Sequence, residues 1–150
     1  PVGSSAKRMR GSLEKARALG ADTTINVAHA PDGLERYAAD KGHFDIHFEC
    51  RGVAVALAAA VPALRPGGTI VQLGLGGDMT LPVQAMTAKE LELKGSFRFH
   101  AEFATAVEMM QAGRLQTGPI VPHVVPMDDA LKGFQLASDR TAAIKVHLAF

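Results

Sequence analysis

The sequence has no tryptophan, one tyrosine and one cysteine in 150 residues. With Tyr37 as the single tyrosine, it lacks the aromatic platforms on which nucleic-acid bases stack. Cys50 stands alone, which excludes an intrachain disulfide and a cysteine-rich zinc site. Charge of one sign is also lacking. The formal net charge is +1, which argues against a dedicated nucleic-acid or membrane-surface binder. No apolar stretch reaches the roughly 18 residues that span a bilayer. The alanine-rich run from Val53 to Val61 ends at Pro62 and reads as a short helix. Lys7, Arg8 and Arg10 precede no apolar signal-peptide core. A reducing, cytoplasmic setting is the expectation.

What is present is globular. The chain is 47% hydrophobic and 21% charged, and its length suits one domain with a real core. With no initiating methionine, it is expected to be part of a longer protein, with residues 1–11 a remnant or disordered N-terminus.

Ser12–Asp22 reads as a helix, with Ser12 as N-cap and Gly20 as its stop. Thr23–Val27, β-branched, reads as a strand. Residues 31–42 open on a Pro-Asp-Gly turn and continue as a short amphipathic helix to Gly42. Phe44–Cys50 alternates, with Phe44, Ile46, Phe48 and Cys50 on one face. A buried-type helix from Val53 stops at Pro66-Gly67-Gly68, and Thr69–Leu75 is the next strand. Lys89–Phe99 alternates as another strand. Ala101–Leu115 is helical. An extended piece around His123 leads to a helix from about Met127, capped near Asp128 and Asp129, and the chain closes on a strand. This alternation predicts an α/β fold with a mostly parallel sheet covered on both faces.

"VQLGLGGDMTLP", Val71–Pro82, looks at first like a phosphate loop. A dinucleotide fingerprint needs Gly-x-Gly-x-x-Gly between a strand and a helix. Here Pro82 is expected to keep the chain extended. A tight turn at the carboxyl end of a strand, near a ligand, fits better. In "FDIHFECRG" the plain reading is a buried strand with a capping Asp45. The functional one sets Cys50, Arg51 and Gly52 against an adenine or ribose. Cys50 itself reads as a small buried hydrophobe. In "ELKGSFRFH", Lys94 suits a solvated edge. Arg98 is expected to point away from Phe97 and Phe99 and to reach a carboxylate or a cofactor. The six histidines show no metal-ligand spacing and read as surface or satisfied side chains.

"EKARALGADTTIN", "FDIHFECRG", "LRPGGTIVQLGLGG", "KELELKGSFRF" and "AIKVHL" occur in that order. Together they resemble the C-terminal cofactor domain of zinc-dependent medium-chain alcohol dehydrogenases. The polyol and sugar-acid branch, with its sorbitol and L-idonate 5-dehydrogenases, looks nearest. The resemblance covers about Ser12 to Phe150. It implies a partial Rossmann domain over residues 12–150, doubly wound and lacking its first strands, that binds NAD or NADP. In the whole enzyme a polyol or sugar acid would give up hydride to the nicotinamide.

By position in the family, the backbone at Leu73, Gly74 and Leu75 would line the nicotinamide. Ser96, Phe97 and Arg98 would meet its carboxamide side. Cys50, Arg51 and Gly52 would lie against the adenosine half, and Lys145 would contact the pyrophosphate. No catalytic or zinc-binding residue is carried over, because the family keeps these in a preceding domain. The resemblance also implies a homo-oligomer paired through sheet edges. Arg51 departs from the small residue usual in this branch, and "PVG" would be the tail of the glycine fingerprint, with Gly3 its last glycine. Without its first strands, Thr23–Val27 would pair directly with Phe44–Cys50 or stay loosely attached. A class I methyltransferase is the rival enzyme, since "LRPGGTIV" fits its later strands. It needs an acidic glycine-rich first motif that is absent here. A non-catalytic dimerisation module is the third reading.

Overall fold

The computed structural model describes residues 12–139 and 142–150. The expectations placed on residues 1–11, including Gly3, lie outside the described residues. The chain divides into two compact units. One comprises Val27–Phe99; the other comprises the N-terminal stretch to Asn26 together with His100–Phe150.

The Val27–Phe99 unit holds strands β1 (Phe44–Glu49), β2 (Leu64–Gln72) and β3 (Glu92–Gly95). They form one parallel sheet in the order β1-β2-β3. Helix α2 (Ala54–Ala60) and a 3-10 turn at Val61–Ala63 connect β1 to β2. Helix α3 (Val83–Ala88) precedes β3. Leu57, Val61, Leu64, Ile70 and Met86 form the buried core, with Met79, Leu81 and Leu91 packed beside it. The Lys89 ammonium closes the base of this core. It donates to the carbonyls of Leu64 at 2.6 Å, Pro62 at 2.7 Å, Lys41 at 2.9 Å and Val61 at 3.2 Å.

In the other unit residues 12–18 form helix α1, followed by α4 (Glu102–Gln111). Strand β4 (His123–Pro126), helix α5 (Ala130–Ser138) and strand β5 (Val146–Ala149) form a βαβ unit with β4 and β5 parallel. The extended piece expected around His123 is thus a paired strand. Gly133 lets α5 lie close to the sheet, because a Cβ there would come within 2.8 Å of the Leu148 side chain.

The α/β class and the parallel pairing are as the pattern predicts. Several local expectations are corrected. Thr23–Val27 is not a strand. β-branched residues favour extended backbone, but a strand also needs a neighbour for its amides and carbonyls. β1 pairs only with β2 among the described residues. Thr24 instead accepts a hydrogen bond from Arg17 Nε at 2.8 Å. Residues 31–42 form two 3-10 turns, Glu35–Tyr37 and Ala39–Lys41, rather than an α-helix. Asp40 and Lys41 sit at φ 52° and 72°, left-handed values that stop helical propagation.

β2 starts at Leu64 and runs through Pro66-Gly67-Gly68 instead of beginning after it. The register passes from Phe44↔Leu64 to Ile46↔Thr69, so Asp45 alone stands opposite Arg65 to Gly68, a wide bulge. Asp45 does not cap; it pairs with Arg65 across this bulge at 2.9 Å, in solvent. Pro82 does not hold the chain extended, for α3 begins on the next residue, where a preceding proline costs no helical hydrogen bond. The strand expected at Lys89–Phe99 shrinks to Glu92–Gly95, bounded by positive φ at Glu90 and Arg98. No side chain of the Asp128-Asp129 pair caps α5.

The apolar face of β1 is its exposed one. Ile46 is 54% exposed and Phe48 61%, while Glu49 is only 2% exposed. The buried side of the strand carries the charge. Cys50, expected to be buried, is exposed.

Candidate functional site

β1 and β2 are parallel neighbours, so their carboxyl ends deliver two loops to one edge of the sheet. The first, Cys50–Val53, leads into α2; the second follows Gln72 and runs to Pro82. Glu49 joins them. Its main-chain carbonyl accepts the amides of Leu73 at 2.8 Å and Gly74 at 2.9 Å, both in the second loop. Its carboxylate accepts the first-loop amides of Arg51 at 2.9 Å and Gly52 at 2.7 Å. Gln72, paired with Glu49 in register, adds a side-chain amide that donates to the carboxylate at 2.7 Å and to the Gly74 carbonyl at 2.8 Å.

Burial pushes the Glu49 carboxyl up. The amides of Gly52 and Arg51 and the Gln72 side chain outweigh it, leaving the group below the usual carboxylate range. His47, two residues earlier, has its Nε2 buried without a hydrogen bond. Desolvation lowers its pKa, and the Glu49 charge opposes that in part.

The loops touch backbone to backbone. Gly52, at φ 71°, sits so close that an added Cβ would lie 2.6 Å from the Gly76 amide nitrogen. A Cβ on Gly74 or Gly76 would collide with the Gly52 backbone. These glycines serve a close approach of two chain segments.

Beyond the contact, the amides and carbonyls of Leu75 and Gly76 pair with nothing among the described residues, and Leu75 is exposed. β3 brings a third segment to the same edge, where Ser96 donates its amide to the Gln72 carbonyl at 2.9 Å. Phe97 follows, exposed. The Arg98 guanidinium lies 5.1 Å from the Phe97 ring centre, so it stacks on that ring instead of pointing away from it. The left-handed backbone at Arg98 ends the alternation on which the expectation rested.

Nine of the ten residues singled out from the sequence therefore meet at this edge: Cys50, Arg51, Gly52, Leu73, Gly74, Leu75, Ser96, Phe97 and Arg98. Lys145 belongs to the other unit, immediately before β5, and is exposed. Sequence reasoning missed Glu49 and Gln72. No local signal singles them out, because β1 also carries Asp45 and His47, and Gln72 lies 23 residues from Glu49 in the chain. A hollow of about 740 Å³ beside α3, lined by Leu81, Pro82, Val83, Gln84, Ala85 and Ala88, includes none of the nine.

The free backbone of Leu75 and Gly76 suits an amide-bearing ring such as nicotinamide, whose carboxamide donates through its NH2 and accepts through its carbonyl. Zinc does not fit in the same way. No three histidine, cysteine, aspartate or glutamate side chains converge to hold a metal among the described residues.

Comparison with known proteins agrees with this architecture. The zinc-binding dehydrogenase family model matches residues 4–112. L-idonate 5-dehydrogenase (NAD(P)(+)) of Escherichia coli K12 is 35% identical over 140 residues, covering 93% of this chain and 40% of that protein. Sorbitol dehydrogenase 1 of Saccharomyces cerevisiae is 31% identical over 132 residues, 81% of this chain and 37% of the relative. The crystal structure of the E. coli L-idonate 5-dehydrogenase superposes with a TM-score of 0.84, again over 93% of this chain and 40% of that one. An E. coli alcohol dehydrogenase complexed with NADH superposes at 0.82 with 25% identity, over 95% of this chain and 43% of its own. The chain thus spans about 40% of the length of the relatives it matches. It belongs to the zinc-binding dehydrogenase family.

Proposed function

We propose that the chain is the cofactor-binding part of an NAD(P)-dependent, zinc-type oxidoreductase that oxidises a polyol or sugar acid of the L-idonate and sorbitol class. The observation that carries this reading is the meeting of three segments at the carboxyl ends of β1, β2 and β3, with the backbone of Leu75 and Gly76 left free. Bound here, a nicotinamide would supply the acceptor for the hydride of an alcohol carbon, whose hydroxyl proton leaves separately. The chain's own part is to bind and orient. Leu73, Gly74 and Leu75 form the wall against the nicotinamide. Ser96, Phe97 and Arg98 flank its carboxamide, and Cys50, Arg51 and Gly52 border the adenosine half. Zinc is assigned to residues other than those described.

In this reading the 150-residue chain binds nucleotide but does not turn over substrate. It works in a cytoplasmic homo-oligomer; the unpaired thiol of Cys50 is consistent with a reducing setting. Titration of the pure chain with NADH and NADPH, followed by nicotinamide fluorescence, tests the first part. Saturable binding is expected; its absence, or binding of S-adenosylmethionine instead, overturns it. Reduction of NAD by the chain with L-idonate or sorbitol would refute the second part. Sizing at several concentrations tests the oligomer.

A further inference from the structure

Glu49 is the one buried charged residue identified in the described core, and nothing in the proposed chemistry calls for it. Burying a carboxylate is costly, and a side chain needed only to fill space would be apolar. The hydrogen bonds of this carboxylate leave the core. Two run to the amides that open the first loop, and the third runs through Gln72 to the second. The main-chain carbonyl of the same residue holds two further amides of the second loop. Both loops therefore hang from one residue, at the point where Gly52 lies against Gly74 and Gly76.

We propose that Glu49 is the positioning residue of the nucleotide site: its carboxylate, relayed by Gln72, fixes the spacing of the loops Cys50–Val53 and Leu73–Gly76 so that their backbones are preorganised for one ligand. The proposal rests on the nucleotide-binding reading above and adds to it a residue that touches no ligand. Preorganised loops bind more tightly because their ordering cost is met before the ligand arrives. With the carboxylate gone, the loops fluctuate independently, and affinity falls while the core stays intact.

The test compares wild type with Glu49→Gln and Gln72→Ala by residue-resolved amide exchange and NADH titration. Glu49→Gln keeps the volume and removes the charge. Its direct effect is on the amides of Arg51 and Gly52. The informative amides are Leu73 and Gly74, which bond to the unaltered main-chain carbonyl. Faster exchange there, with Ile70 and Leu57 unchanged, and NADH affinity reduced about tenfold, the scale of one hydrogen bond to a charged group, is expected. Gln72→Ala should loosen the Leu73–Gly76 loop and leave Arg51 and Gly52 protected; it decides the matter if Glu49→Gln does not fold. Faster exchange confined to Arg51 and Gly52 in the first variant would overturn the proposal. So would unchanged Leu73–Gly76 exchange or unchanged affinity in the second. If wild type itself binds no NADH, the nucleotide reading fails, and the exchange pattern still decides whether Glu49 sets the loops.

Discussion

The Lys89 ammonium lies 2.6 Å from the Leu64 carbonyl, tying the start of α3's outgoing chain to the first residue of β2. Three more carbonyls converge on the same nitrogen, from Pro62, Lys41 and Val61. They come from the turns at Lys41 and Val61–Leu64, where the Val61 carbonyl also accepts the Leu64 amide. Lys89→Met keeps the stem and removes the shared donor from all four, so we expect a loss of roughly 2–4 kcal/mol in urea unfolding. A loss below about 0.5 kcal/mol, the level of an ordinary surface change, would show that water replaces the ammonium freely.

Two glycines of the second loop should respond differently to alanine. Gly74 has backbone in its way, so Gly74→Ala forces the loops apart, at a cost of about 1–3 kcal/mol. Gly77 meets nothing within 4 Å, but its φ is 84°. Gly77→Ala should cost about 1–2 kcal/mol from backbone strain alone. NADH affinity separates them, because only the Gly74 change displaces the Gly52 contact. Equal loss of affinity in both variants would contradict this.

Acid should weaken the Val27–Phe99 unit in two steps. His47 has a folded pKa below its ordinary 6.5, so the unfolded chain takes up that proton first. Stability is then lost as pH falls from 6.5 to the folded value, and no further below it. Glu49 is also depressed, from 4.5. Its contribution is full above 4.5 and disappears as pH falls through the folded value. Denaturant unfolding from pH 8 to 3 should show both steps, the first removed by His47→Gln and the second by Glu49→Gln. A flat profile from pH 7 to 5 would exclude the His47 step.

The Arg65–Asp45 pair is the contrasting case. Its side chains are 52% and 75% exposed despite a 2.9 Å contact. Asp45→Ala should change stability by no more than about 0.5 kcal/mol, and less in high salt. A larger loss would mean that the pair holds the bulge at Arg65–Gly68.

The strand–helix order was legible because β1, α2 and β2 carry local signals that agree with their packing. The nine residues at the sheet edge were legible for a topological reason. Parallel strands deliver their carboxyl ends to one side, whatever the side chains. Glu49 was not legible, since its burial depends on amides two and three residues later and on Gln72, distant in sequence. The alternation of β1 put Phe44, Ile46 and Phe48 on one face without saying which way it turns. Which face packs is decided by where α2 and the 3-10 turn bring Leu57 and Val61, and no period within the strand reports that. Thr23–Val27 failed similarly, because strand propensity says nothing about whether a partner strand is beside it.

The abutting glycines of the two loops have an evolutionary corollary. Once Gly52 gains a methyl group the loops have already parted, and a second methyl at Gly74 finds the room made for it. The two substitutions should therefore combine at well below the sum of their separate effects. Drift at one loop is contingent on the other, although the positions lie 22 residues apart in the chain. Such a pair escapes one-at-a-time scanning, which records two intolerant sites where the molecule has a single shared constraint.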